Sequence, residues 1–412
     1  MLKEALRLGA FSVILGVPSY AQDTEFSVSM PVTLSAGALY SERLQLADPN
    51  AYPAAAAFRA MLYPTVQLGS HWFGYAAVQI RSTPYFYYDA FDSEKEIYTD
   101  ALQAYVGYSL HKARTSMVIK AGKLTSAFGA FPLHYDDADN ALLDQPLSYI
   151  TDLPIRPDQL PCGTNDLLWQ WYGYVNFGCG GAAGGASGTV PVTLYGLPGA
   201  QIEVSTGPID GRFQLTSGSP ANPQNVSLAG TYLQWTAGGG YTIHQGFRVG
   251  VSGFRGPYLD PIVAPLLPTG KTVRNFPASG LGADVQWARG RFSASGELQR
   301  FQFDFPNFRT QPSITAGYVE LKTQLTPRLF VAGRGGFLYA GKVEDNTGVS
   351  ADQFAPYIRT YELAAGFWVT RNQLLKGGYE WMRSEGQTGR QTDVLGLQYV
   401  VQIHSLGWAF NR

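Results

Sequence analysis

The feature that most constrains this chain is a period of two, repeated segment after segment. In residues 329–344, LFVAGRGGFLYAGKVE, one alternate set is Leu329, Val331, Gly333, Gly335, Phe337 and Tyr339. The other is Phe330, Ala332, Arg334, Gly336 and Leu338. Successive side chains of a strand point to opposite faces, so this pattern is a strand with one uncharged face and one face that carries an arginine near its centre. The first such segment is 26–40. Others follow at about 58–68, 72–82, 101–110, 115–123, 199–206, 211–217, 230–241, 246–254, 279–288, 291–304, 313–326, 329–342, 360–370, 373–384 and 393–405. Together they make about sixteen strands.

The connectors sort by length. GSH (69–71), HKAR (111–114), GPID (207–210), HQG (244–246), ARGR (288–291), TPR (326–328) and RNQ (371–373) are tight turns, rich in the residues that turn geometry asks for. Between them lie long connectors at about 41–57, 83–99, 124–198, 218–229, 255–277, 305–312, 343–359 and 385–392. Strict alternation of short and long is the layout of a transmembrane antiparallel up-and-down β-barrel, all-β, with short turns on the periplasmic side and long loops outside.

Leu102, Ala104, Val106, Tyr108 and Leu110 share one face, as do Leu363, Ala365, Phe367 and Val369, and Leu395, Leu397, Tyr399, Val401 and Ile403. These are expected to meet lipid. Tyr75, Tyr108, Tyr318, Tyr339, Tyr361, Tyr379 and Trp381 stand near strand ends, as interfacial aromatic girdles require. The opposite face carries Arg81, Lys120, Glu203, Arg212, Arg248, Asp284, Glu297, Glu320, Lys322, Arg334, Glu362, Lys376 and Glu380. A charge near the centre of most strands would be costly in a dry core, so a water-filled lumen is expected to hold them as pore-lining groups.

Composition agrees. Only 15% of the 412 residues are charged, against a usual quarter, while 45% are hydrophobic, so the chain has ample apolar surface and is not of disordered type. The net charge of −1 gives no reason to expect a nucleic-acid partner. Residues 1–21, MLKEALRLGAFSVILGVPSYA, place Lys3 and Arg7 before a short apolar run and end on small residues, the pattern of a secretory signal peptide. Beyond Ala21, no uncharged apolar run approaches the ~20 residues of a spanning helix, so 22–412 is read as the barrel, with no preceding plug domain.

An open barrel of this width needs something to narrow it, and the connector at 124–198 is far longer than the rest. This third outer loop is expected to fold into the lumen. A short helix is expected around Asp137 to Leu143. Its acidic groups, Asp136, Asp137, Asp139, Asp144, Asp152, Asp158 and Asp166, face only Arg156 as a basic partner, and it has no lysine. Asp136, Asp137, Asp139, Asp144 and Arg156 are the candidate constriction residues. Cys162 and Cys179, the only cysteines of an exported chain, are expected to form a disulfide.

No catalytic pattern completes itself. LLPTGKT at 266–272 has Pro265 where a phosphate loop needs glycine, and GVSGF at 250–254 ends on Phe254 where a nucleophile elbow needs glycine. His71, His111, His134, His244 and His404 are scattered, without metal spacing. No enzyme activity, metal or cofactor is implied.

Over its mature length the chain resembles the sixteen-stranded general porins of bacterial outer membranes. Residues 119–149 are also similar to a strand-to-loop segment of the phosphate-selective porin O/P superfamily, at Gly122-Lys123, Phe128-Gly129 and Pro146-Leu147. It departs from such barrels at its end, where Phe410 stands two residues short of the terminus. The resemblance implies a passive channel in the bacterial outer membrane, contacts with lipid and lipopolysaccharide, small hydrophilic solutes, and a homotrimer. An anion, phosphate or sugar selectivity is the alternative, and a plugged structural or adhesive barrel or a barrel hydrolase the alternative from another class. The loop alternation also fixes sidedness: epitope tags at 346 or 388 should be labelled on intact cells and tags at 112 or 209 should not, and external labelling at 112 would reject the topology.

Overall fold

The computed structural model describes residues 26–42, 52–83, 85, 97–171, 179–180, 189–192, 196–219, 221, 233–385 and 391–410. The expected signal peptide at 1–21 and most of the glycine-rich stretch after Cys179 lie outside the described residues. The strands are β1 (Phe26–Tyr40), β2 (Ala54–Leu62, resuming at Thr65–Leu68), β3 (Trp72–Ser82), β4 (Ile97–Lys112), β5 (Thr115–Leu124), β6 (Leu197–Thr206), β7 (Ile209–Ser217) and β8 (Leu233–His244). They continue as β9 (Phe247–Pro257), β10 (Pro277–Arg289), β11 (Phe292–Phe303), β12 (Ser313–Gln324), β13 (Leu329–Ala340), β14 (Tyr357–Thr370), β15 (Gln373–Glu385) and β16 (Gln391–Phe410).

Each strand pairs antiparallel with its sequence neighbour, and β1 pairs with β16 from Phe26↔Phe410 to Tyr40↔Leu395, so the sheet closes into a sixteen-stranded barrel. Closure removes every free edge, which is the condition for crossing a bilayer with strands. β2 is interrupted at Tyr63-Pro64, yet both pieces keep their places between β1 and β3. Proline has no N–H for the ladder. Tyr63 N instead donates to the carbonyl of Pro31, and Ala76 N to that of Pro64, both at 2.9 Å.

The two faces separate by burial. Leu363 is 67% exposed while its neighbour Glu362 is 4% exposed. Val251, Leu281, Leu298, Val319, Leu321, Leu395 and Leu397 are exposed on the outer face. The phase expected for β13 matches its burial: Val331 and Tyr339 are exposed, and Phe330, Ala332, Arg334, Leu338 and Ala340 are buried.

Three residues assigned to the outside turn inward. The β3–β4 register jumps from Ala77↔Gln103 to Val78↔Ala101, which makes Leu102 the extra residue of a bulge. Leu102 is buried against Met61 and Ala77. Tyr318 is buried and bonded to Glu297, and Tyr75 stacks beside Tyr63. A period of two cannot register a bulge, and an aromatic near a strand end carries no label for its face.

On the long-loop side, Phe254, Phe301, Phe303, Ile314, Leu338 and Ile358 of the wall pack with Phe128, Phe131, Leu147, Leu153, Ile155 and Leu160 of the loop after β5. Strand segments Phe308–Thr310, Val343–Asp345 and Ser350–Ala351 form a separate three-stranded sheet among the outer loops. Asp345 ties that sheet to the long loop: it accepts Thr164 N at 2.9 Å and also bonds the hydroxyl and N–H of Thr347 and the N–H of Val349. These donors, the Thr347 hydroxyl first, lower its pKa to about 2.

Leu363 sits midway along β14 on the apolar band. Leu363→Arg should cost roughly 2–4 kcal/mol of stability, read as the denaturant midpoint of the protein folded in lipid vesicles. An unchanged midpoint would remove Leu363 from the lipid face.

Candidate functional site

The wall brings its charges to the loop, and the loop meets them with backbone. Lys376 of β15 is 1% exposed. Its ammonium donates to three carbonyls of the loop, Asp137 O at 2.8 Å, Asn140 O at 3.1 Å and Leu142 O at 2.9 Å. An ammonium has three donors, and all three are used. Next to it, Glu362 of β14 accepts Leu143 N at 2.7 Å and Asp144 N at 3.1 Å. Its other oxygen accepts Arg334 Nη2 of β13 at 2.7 Å, and the same guanidinium nitrogen reaches Asp144 O at 2.5 Å.

On β11, Glu297 collects five donors without a cation: Ala130 N, Phe131 N, Tyr318 Oη, Tyr149 Oη and Gln299 Nε2. The backbone turns sharply here because Gly129 holds φ at +72°, and a Cβ at that position would stand 2.0 Å from Tyr149 Oη. Gly129 N donates to Ser252 Oγ of β9, and its carbonyl accepts Arg212 of β7. Across the barrel, Arg59 of β2 donates to Asp137 at 2.9 Å and to Gln79 of β3 at 2.9 Å, with its guanidinium 4.3 Å from the centre of the Tyr135 ring. Ser35 of β1 and Tyr85 complete the shell of Asp137. Residues 126–149 thus run against the inner wall and bridge its two sides.

The sequence-assigned pore charges therefore divide. Arg81, Asp284, Glu297, Arg334, Glu362 and Lys376 are buried rather than bathed in water. Arg81 lies over the ring of Tyr98, 5.1 Å from its centre. Lys120, Arg248, Glu320, Lys322 and Glu380 are half-buried. Lys120 pairs with Glu203 at 2.7 Å, and Arg248 bridges Asp210 and Asp284 at 2.7 Å each. The loop residues divide too. Asp137 and Asp144 are buried, and Arg156 forms a buried pair with Asp158 at 2.7 Å. Asp136 is half-buried and accepts the Tyr63 hydroxyl, and Asp139 is exposed. The expectation of water around every wall charge is corrected: loop backbone groups compensate the desolvation of Glu297, Arg334, Glu362 and Lys376 as water would, while Asp284 is met by Arg248.

The helix expected at 137–143 is a single turn, with Asp139 N and Asn140 N both donating to Asp136 O. Among the described residues, the helices of this loop are Phe131–His134 (a 3-10 turn), Leu147–Ile150 and Thr164–Trp171. Pro146 precedes the second of these, and an Asx bond from Ala138 N to Asp136 competes with helix at the first site. Cys162 and Cys179 are bonded, with Cα atoms 5.0 Å apart. Sequence reasoning passed over Arg59, Tyr63, Tyr135 and Tyr149. Arg59 had a readable signal, being the one charge in AAAAFRAML.

Two cavities open on the short-turn side of the loop. One, about 420 Å³, is lined by Met61, Tyr63, Tyr75, Tyr135, Asp136 and Asp139 among others. The second, about 400 Å³, is lined by Arg248, Trp287, Glu320, Lys322, His134 and again Asp139. Among the described residues no group of three His, Cys, Asp or Glu could hold a metal ion.

The tripod on Lys376 predicts a specific lesion. Lys376→Met leaves three carbonyls without their donor and should cost roughly 3–5 kcal/mol, seen as a lowered unfolding midpoint in detergent and as protease cleavage within 134–146. Retention of both native properties would show that Lys376 does not hold the loop.

No protein-family model matches this sequence, and no curated protein matches it. Solved structures do match in fold. OmpT of Vibrio cholerae aligns with a TM-score of 0.53 at 8% identity, covering 93% of this chain and 99% of its own. The outer membrane channel DcaP of Acinetobacter baumannii aligns at 0.54 with 10% identity, covering 94% and 100%. An anion-selective porin from Comamonas acidovorans aligns at 0.50 with 9% identity, covering 92% and 100%. The chain has the fold of the sixteen-stranded outer-membrane porins, without detectable kinship in sequence.

Proposed function

We propose that this protein is a channel of the bacterial outer membrane for passive diffusion of small hydrophilic solutes and ions, narrowed by the loop after β5. The observation that carries the reading is the pair of cavities, about 420 and 400 Å³, that meet at Asp139 inside a barrel whose exterior is apolar. The folds it shares are those of proteins named as channel and porin. One structure of the Vibrio cholerae protein is a trimer form, and a homotrimer surrounded by lipid and lipopolysaccharide is the assembly we infer here. We read the chain as a non-enzyme. The histidine contacts described, His71 to Ser109 O, His244 to Gln245 O and His404 to Asn372, include no serine hydroxyl that a base could activate.

The charges favour cations modestly. Lys120 with Glu203, Arg248 with Asp210 and Asp284, and Arg59 with Asp137 are ion pairs that largely cancel. Among the described residues, Asp136 and Asp139 have no arginine or lysine at ion-pairing distance and lie on a cavity. Opposing them, Lys322 lines the second cavity. In a planar bilayer with a salt gradient, the reversal potential should indicate weak cation preference that fades near 1 M salt, where the Debye length is about 3 Å. Asp136→Asn with Asp139→Asn should abolish it. Absence of conductance would reject the channel. Strong anion selectivity, or a preference untouched by the double change, would move selectivity away from this loop and favour the anion-porin reading.

A further inference from the structure

We propose that the cavity beside β2 and β3 is a binding site for organic monocations that carry an aromatic ring or N-methyl groups. The inference deepens the channel reading by naming a solute class for one of its two cavities.

Three features coincide there. The first is a row of tyrosine rings. Tyr63 and Tyr75 stack with centroids 6.3 Å apart at 24°, and Tyr75 meets Tyr105 at 5.3 Å and 39°. The second is charge. Asp136 and Asp139 line the cavity, and among the described residues no lysine or arginine does, His404 being the one basic residue there. The third is that protein cations already use rings of this cluster. Lys120 Nζ lies 5.4 Å from the centre of Tyr105, and Arg59 lies 4.3 Å from that of Tyr135. Each of these cations is neutralised by its own carboxylate, Glu203 and Asp137, which leaves the faces of Tyr63 and Tyr75 and the charges of Asp136 and Asp139 to a visitor.

The chemistry follows from the row. A ring face attracts an ammonium through its quadrupole, and a methylated ammonium sheds water more readily than a bare one. Val32, Met61, Ala77 and Leu102 give the same cavity an apolar floor. The Tyr63 hydroxyl donates to Asp136, so the carboxylate is fixed beside the ring instead of turning into solvent. The second cavity lacks this combination: Arg248 and Lys322 stand in it beside Glu320. A small inorganic cation would use the carboxylates but, keeping its tightly held water, gains less from the rings. An anion would meet two negative charges.

The test uses the full chain in detergent and saturation-transfer NMR with phenyltrimethylammonium as the probe. Benzyl alcohol, of similar ring but no charge, and glucose are the comparison ligands. Ring and N-methyl protons of the probe should receive saturation. Tyr75→Leu should weaken binding roughly fivefold, Asp136→Asn with Asp139→Asn should do likewise, and Tyr75→Phe should bind nearly as the native protein does. Should the leucine variant not fold, the phenylalanine and asparagine variants and the neutral ligand still decide. Equal binding of benzyl alcohol, tighter binding of glucose, or a probe affinity unmoved by the asparagine changes would overturn the site. The channel reading fails separately: a protein that binds the probe but carries no current loses the channel and keeps the site, and one that conducts without binding loses only the site.

Discussion

Everything inside this barrel depends on how the backbone of one loop is satisfied away from bulk water. A loop brought against a sheet wall carries its N–H and C=O groups with it, and each unpaired one costs about as much as a lost hydrogen bond. Here the wall supplies matched charges. Lys376 serves three carbonyls, Glu362 two N–H groups, Glu297 two more, and Arg334 links a loop carbonyl to Glu362. The charged heads are buried, but each meets several dipoles or an opposite charge. The usual penalty for burying an ion is thereby offset on both sides of the contact.

The outer architecture was legible because lipid and turns impose strict rules. Alternation of side chains and of connector lengths is enough to yield sixteen strands and their order, and β13 has the burial phase that its sequence states. The failures are local and have physical causes. Leu102 is the extra residue of a bulge, which adds one to the count and turns a face over. Tyr75 and Tyr318 use hydroxyls and rings within the interior, and tyrosine suits both a membrane interface and a polar cluster.

The interior was legible only as chemistry, not as contacts. Period and charge place Arg334, Glu362 and Lys376 on the inner face, but nothing in their spacing says that a loop more than two hundred positions away from Lys376 in sequence covers them; the separations to Asn140 and Leu142 are 236 and 234. The acidic run Asp136 to Asp144 reads as one cluster, yet its members part by geometry. Asp137 is enclosed by Arg59, Ser35 and Tyr85, whereas Asp139 lines both cavities. Burial of a carboxylate is decided by partners from elsewhere in the chain, which a local window does not contain.

The shell around Asp137 also orders events in time. Its partners come from β1 and β2 near the start of the chain, and the carbonyl of the same residue is held by Lys376 near the end. Gln398 of β16 reaches the same shell through Tyr85. Contacts of such separation form late, because the entropy of closing long stretches of chain must be met first. The loop can be locked in its native place only after the first and last strands have come together, so an incompletely closed barrel would still have its loop unfastened and its lumen wide.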